Sequence, residues 1–218
     1  MPTSLLIATN NPGKRIEIQA ILADLPLTLV LPAEAGLNLE VEETGGSYQE
    51  NAVLKALAFS RASGLPSLAD DSGLEVEALG GEPGVRSARY APIPNATDAD
   101  RRAYLLERLR SHPIPDGMPG WPARFRCVVA LALPTGEIYL TEGTCPGYII
   151  TQERGQHGFG YDPIFYLPEY DQTMAELPPE VKNRISHRAR ALQAARPLLQ
   201  RLLGSPSGDP PSSHLEHT

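Results

Sequence analysis

Residues 4–25 read SLLIATNNPGKRIEIQAILADL, and this stretch decides the fold class. Ser4 to Ala8 is a short apolar run, the pattern of a buried strand. Pro12 follows where a first helical turn tolerates it, because the N–H it lacks has no partner there. Ile18, Ile21, Leu22 and Leu25 then recur at helical spacing. The unit is strand, loop, helix.

Downstream, a second helix is expected from near Ser47, where Ser47 and Glu50 form a capping-box pattern. Ala52, Ala56 and Phe59 mark its inner face, and Gly64 and Pro66 end it. Leu68 and Ala69 start a strand that runs directly into Asp70, Asp71, Ser72 and Gly73. Glu75 and Glu77, alternating with Leu74 and Val76, read as surface residues of a strand. Thr97 caps a third helix through about Arg110. Residues 112–122 (HPIPDGMPGWP) read as a loop. Phe125 to Leu133 is a near-continuous apolar run, expected to be a central strand, with Glu137 to Thr144 paired to it across a turn at Pro134–Gly136. A last helical segment spans about Ser186 to Leu203, with Pro197 able to kink or split it. Residues 205–218 hold almost nothing to bury and read as a disordered tail after a single domain of residues 1–204. Strand–helix units followed by a late hairpin predict an α/β fold with a mixed sheet.

Composition narrows the partners. The chain has 218 residues, of which 41% are hydrophobic and 21% charged, the balance of an ordinary globular protein. A net charge of -7 argues against a duplex nucleic-acid partner. A small anionic substrate remains compatible, because a few local cations outweigh a distant acidic surface. Cys127 and Cys145 lack metal-ligand spacing and read as buried thiols. No segment reaches the length of a membrane span and no signal peptide is evident, so a cytoplasmic location is expected.

Four segments are candidates for chemistry. Thr9-Asn10-Asn11-Pro12-Gly13-Lys14 lies between a strand and a helix N-terminus, where free N–H groups and the helix dipole attract phosphate. A plain turn and cap would also explain it. Glu42, Glu43, Asp70 and Asp71 form an acidic set, and adjacent carboxylates are costly to hold together unless a cation shares them. Oxygen ligands of this kind suit Mg2+, and the bland alternative is a solvated acidic loop. His157 to Pro163 flanks Phe159 with glycines, a loop able to present a ring for base stacking or simply a structural aromatic. Lys182 and Ser186-His187-Arg188 stand at the entrance to the last helix, where ordinary surface cations are the simpler reading.

Five strings, ATNNPGK, EETGGSYQENAVLKA, ADDSGLEVEALGGEPGVRSARYA, GFGYDPIF and ISHRARAL, appear in order between residues 5 and about 203. Together they resemble the non-standard purine triphosphate pyrophosphatases, the dITP/XTP or inosine triphosphate pyrophosphatase family. The resemblance implies two α/β lobes around a long twisted mixed sheet, a site in the cleft between them, and a homodimer. It implies Mg2+-dependent hydrolysis of a purine nucleoside triphosphate between the α and β phosphates. Asp71 would be the proton acceptor and a metal ligand, Glu43 the second ligand, and Asp70 an outer-shell contributor. Thr9, Asn10, Asn11, Pro12, Gly13, Lys14, Lys55 and Ser72 would bind the triphosphate. Phe159 would stack on the base, with Gly160, Tyr161, Asp162 and Lys182 around it. His187 and Arg188 would donate to the 6-oxo group that inosine and xanthine carry and adenine lacks. Two rival readings are a septum-inhibitor-like pyrophosphatase acting on modified pyrimidine nucleotides, and a catalytically dead nucleotide-binding module.

Overall fold

The computed structural model describes residues 3–203, so the expected tail at 205–218 lies outside the described residues. Seven strands form one mixed sheet in the order β2-β1-β3-β4-β5-β6-β7. β1 (Thr3–Ile7) runs parallel to β2 (Leu27–Val30) and to β3 (Ser67–Val76). β4 (Trp121–Ala132), β5 (Ile138–Ile149), β6 (Phe165–Leu167) and β7 (Gln172–Thr173) continue it antiparallel. Helices α1 (Pro12–Leu22), α2 (Tyr48–Ser63), α3 (Asp98–Leu109), α4 (Pro179–Ile185) and α5 (His187–Leu203) flank it. The expected α/β class with a mixed sheet is what forms.

Side-chain alternation explains why the apolar strands carry helices on both faces. Leu5 and Ile7 of β1, with Cys127, Val129 and Leu131 of β4, pack against α1 and α5. Their neighbours Leu6, Ala8, Val128, Ala130 and Ala132 pack against α2. A third cluster gathers Leu74 and Val76 of β3, Trp121 to Phe125 of β4, α3 and β6. β3 thus passes from the first two cores into the third, and Asp70-Asp71-Ser72-Gly73 is the polar interval between them. At 25 cal/mol per Å2, each fully buried Leu or Ile here is worth roughly 1.5–3 kcal/mol relative to exposure.

Several boundaries differ from the sequence expectation. β3 runs unbroken through the aspartates to Val76, because Asp70 to Gly73 pair residue for residue with Val129 to Arg126 of β4. β4 begins at Trp121, inside the expected loop, since Trp121 finds burial and its indole N–H donates to the His112 carbonyl at 2.8 Å. β5 extends to Ile149. Glu77 leaves the strand for a 3-10 turn. Ser47 caps α2, but Glu50 accepts from the Gly46 N–H at 2.7 Å and not from Ser47, so the reciprocal box is formed one residue early. The full box forms at α3 instead, between Thr97 and Asp100. Pro197 sits inside α5 without splitting it.

Candidate functional site

A cavity of about 330 Å3 opens where the polar interval of β3 faces the N-terminal ends of α1 and α5. Its two ends carry different chemistry.

The carboxylate end is built by α2 and β3. Asn51 and Lys55, one helical turn apart on α2, both face Asp71. Asn51 Nδ2 donates to Asp71 Oδ2 at 3.1 Å, and Lys55 Nζ lies 3.7 Å from Oδ1. Lys55 also forms a short ion pair with Glu43. Glu43 stands in an irregular segment whose backbone is held by Arg89 Nη2, donating to its carbonyl at 3.0 Å. Burial pushes the Asp71 carboxyl above its usual range, opposed by Lys55 and Lys14 and reinforced by Glu43. Burial acts on Glu43 in the same sense, but Lys55, Lys14 and Arg89 outweigh it and hold that carboxyl low.

Asp70 does not share this end. Successive residues of a strand point to opposite faces, so Asp70 turns toward α1 and α5 while Asp71 turns toward α2. The adjacent-carboxylate argument for a common cation therefore fails for this pair. Asp70 is 1% exposed, with Lys14 Nζ at 3.1 Å and Arg188 Nη2 at 3.0 Å. Burial alone would raise its pKa, but Lys14 and Arg188 drive it far below the carboxylate range.

From Asp70 an alternating chain of buried charges runs toward the Phe159 loop. Arg188 meets Glu17 at 2.5 Å, Glu17 meets Lys182 at 2.8 Å, and Lys182 meets Asp162 at 2.5 Å. The reading of Lys182, His187 and Arg188 as surface cations is overturned, since their exposures are 4%, 6% and 1%. Arg188 spends four of its five N–H donors, two on Asp70, one on Glu17 and one on Ser72 Oγ at 2.9 Å. His187 stacks on Phe125 with centroids 4.7 Å apart, and its buried Nδ1 has no hydrogen-bond partner. Burial, then Arg188 and Lys182, push the imidazole well below its usual pKa, so it is neutral. A buried polar atom without a partner on a cavity wall is a place for a ligand's hydrogen-bonding group.

Among the residues singled out in the sequence, Thr9, Asn10, Asn11 and Lys14 line the cavity, as do Glu43, Lys55, Asp71 and Ser72. Phe159 to Asp162, Lys182, His187 and Arg188 line it from the other end. Pro12 and Gly13 do not: Pro12 is the exposed first residue of α1, and Gly13 lies under the Phe159 ring. Glu42 is not on the wall either. Asn51 and Glu17 were missed. Each sits one or two helical turns from a residue already noticed, but a lone polar residue in an amphipathic helix carries no signal until its partner across the fold is known.

Glu43 and Asp71 fit a hard divalent cation. Both are oxygen donors, and Lys55 already places one positive charge between them. Among the described residues no group of three or more His, Cys, Asp or Glu side chains forms a complete cage. A two-carboxylate set completed by phosphate oxygens and water is the usual arrangement for Mg2+.

A sequence model of the Ham1 family matches residues 5–198. A protein of Desulforamulus reducens named dITP/XTP pyrophosphatase is 48% identical over 198 residues, which cover 91% of this chain and 96% of that one. One of Thermus thermophilus with the same name is 50% identical over 190 residues, covering 87% and 88%. Among solved structures, a HAM1 protein from Coxiella burnetii superimposes with a TM-score of 0.80 at 41% identity, covering 91% of this chain and 99% of that chain. The Staphylococcus aureus Ham1 protein gives 0.77 at 40%, with the same coverages.

Proposed function

The chain belongs to the Ham1 family, and from that premise we propose that it hydrolyses non-standard purine nucleoside triphosphates, dITP, ITP and XTP, to the monophosphate and pyrophosphate. The observation that carries this reading is the polarity of this cavity. Its carboxylate and lysine end suits a metal-bound triphosphate, and its Phe159, His187 and Arg188 end suits a base.

Asp71 accepts the proton of the attacking water and orients it. Burial raises its affinity for protons, but a cation held by the same carboxylate would lower it again, so orienting the water is as much its work as taking the proton. Asn51 fixes the carboxylate rotamer through Oδ2. Glu43 and Asp71 would hold Mg2+, which when bound neutralises charge on the phosphates and on the departing pyrophosphate. Lys14 and Lys55 add fixed positive charge on the same side. The water oxygen ends on the α phosphorus, the bond from that phosphorus to the bridging oxygen breaks, and pyrophosphate leaves with the electron pair. At the far end, Phe159 stacks on the base, and the neutral His187 offers one N–H to the 6-oxo group. Arg188 has one N–H left for it. The enzyme works as a homodimer in the cytoplasm, with the two halves of the sheet acting as lobes that enclose the nucleotide. No helix of the described residues is long and apolar enough to cross a membrane.

The test is pyrophosphate release across dITP, XTP, dATP, dGTP and dTTP, with Mg2+ and with excess chelator. We expect dITP and XTP to lead and chelator to abolish turnover. Preference for dTTP would favour the pyrimidine reading, turnover of none would favour a binding module, and undiminished turnover in chelator would refute the metal role.

A further inference from the structure

The loop carrying Phe159 has glycine on both sides of the ring, so its own backbone confines it to no single shape. Gly158 and Gly160, on either side of the ring, adopt φ values of 77° and 64°, a region that L residues rarely enter. What holds the loop is polar, and most of it comes from outside. The Phe159 N–H donates to Asp162 Oδ2 at 2.9 Å, and the next N–H, of Gly160, donates to Asp98 Oδ2 at 2.7 Å. The Gly160 carbonyl accepts from Arg102 Nη1 at 2.9 Å. Arg102 is itself fixed by Glu153 through two bonds of 2.9 Å. Both hydrogen-bonding groups of one residue are therefore gripped from the first turns of α3, 62 and 58 positions away in sequence. Asp98 is well placed to stay ionised. It occupies the first position of α3, at the positive end of the helix dipole, and pairs with Arg101.

Resting on the base-stacking reading above, we infer that Asp98 and Arg102 are positioning residues for base affinity: they clamp Gly160 from α3 and so hold the Phe159 ring ready to stack. Neither needs to touch the phosphates; Asp98 reaches the cavity wall at its base end, and Arg102 does not line the cavity. The clamp acts on the base end alone. Loss of either grip leaves the loop free to relax from its left-handed bracket, and the nucleotide then has to order it on binding.

The experiment compares Asp98→Ala, Arg102→Ala and Asp98→Asn in the full chain with Mg2+. It reads KM and kcat for dITP, the inhibition constant of inorganic tripolyphosphate, and amide hydrogen exchange over residues 157–162. Both alanine variants should raise KM for dITP by roughly tenfold, the worth of one charge-assisted hydrogen bond, with kcat little changed. Tripolyphosphate has no base, so its inhibition constant should stay within about twofold of the parent, well short of that tenfold. Exchange at 157–162 should quicken even without nucleotide, and Asp98→Asn, whose amide oxygen still accepts from Gly160, should recover most of the affinity. Unchanged KM in both folded alanine variants would overturn the inference. So would an equal loss of tripolyphosphate binding, or a defect confined to Asp98→Ala, which would mean that Asp98 meets substrate directly. Parent protein that ignores dITP would instead sink the functional reading, while the hydrogen-exchange result would still report on the clamp.

Discussion

Asp71 has one oxygen bonded to Asn51 and the other near Lys55, so its geometry survives a neutral replacement better than its chemistry does. Asp71→Asn keeps the shape and removes both the charge and the proton acceptor. We expect kcat for dITP to fall by at least ~10², the lower end for loss of a general base, as measured by steady-state pyrophosphate release. Arg188 is a different case. The sequence reading makes it a base-reading residue, and truncation would then change selectivity alone. In the folded chain it stands between Asp70 and Glu17 with 1% exposure. Arg188→Ala leaves two buried carboxylates short of their shared cation, a defect worth about 3–5 kcal/mol. Urea unfolding should show that loss, and a variant as stable as the parent would mean that the carboxylates find other partners. The base preference of Arg188→Ala is interpretable only beside that stability measurement.

At the scale of elements, the start of α1 and the Phe159 loop are fitted to each other. A Cβ built on Gly13 would lie 2.5 Å from Phe159 Cδ1 and 2.7 Å from Cε1. The ring rests there under two cations, with Lys182 Nζ 4.9 Å and Arg188 Cζ 5.7 Å from its centroid. Gly13→Ala should improve helix propensity by up to ~1 kcal/mol while pushing the ring aside. We expect KM for dITP to rise several-fold, about 1 kcal/mol or less of lost binding, with no drop in melting temperature. Activity and stability then move in opposite directions, and a variant with unaltered KM would show that Phe159 does not need this seat. Gly143 plays a matching part at the other helix, since a Cβ there would come within 2.3 Å of the His187 carbonyl and 2.4 Å of the Ala191 N–H nitrogen. Close contact of β5 with α5 is what brings His187 and Arg188 down to the cavity.

For the whole molecule, the buried imidazole of His187 links stability to pH. Its folded pKa is pushed well below the ordinary 6.5, by burial and then by Arg188 and Lys182. The unfolded chain therefore takes up a proton below about pH 6.5 that the native chain refuses, so the stability is present above that pH and is lost on acidification. The slope is at most ~1.4 kcal/mol per pH unit for one proton. Urea unfolding at about pH 7 and about pH 5.5 should differ by roughly 1 kcal/mol, and His187→Phe, which keeps the stack on Phe125, should flatten that limb. A parent protein equally stable at both values would mean that His187 is protonated in place. At still lower pH, Asp70 and Glu17 act in the same direction, because their ion pairs outweigh burial and hold both carboxyls low.

Much of this was legible in the residues themselves. Apolar runs at Ser4–Ala8 and Phe125–Leu133, caps at Ser47 and Thr97, and the helical spacing after Pro12 determine the elements, because they depend on neighbours within a few positions. The ordered strings from ATNNPGK to ISHRARAL determine the family and many, though not all, of the residues around the cavity. What only the tertiary structure decided is how those charges are shared. Asp70 and Asp71 are neighbours in the chain and strangers in the fold, since a strand turns them to opposite faces. Glu17 acquires its place only when α1 meets Lys182 and Arg188, more than 160 residues away. The grip of Asp98 and Arg102 on Gly160 likewise exists only once α3 packs beside that loop. Pairing energies of this kind depend on distance and burial, and neither is written in the local pattern of a sequence.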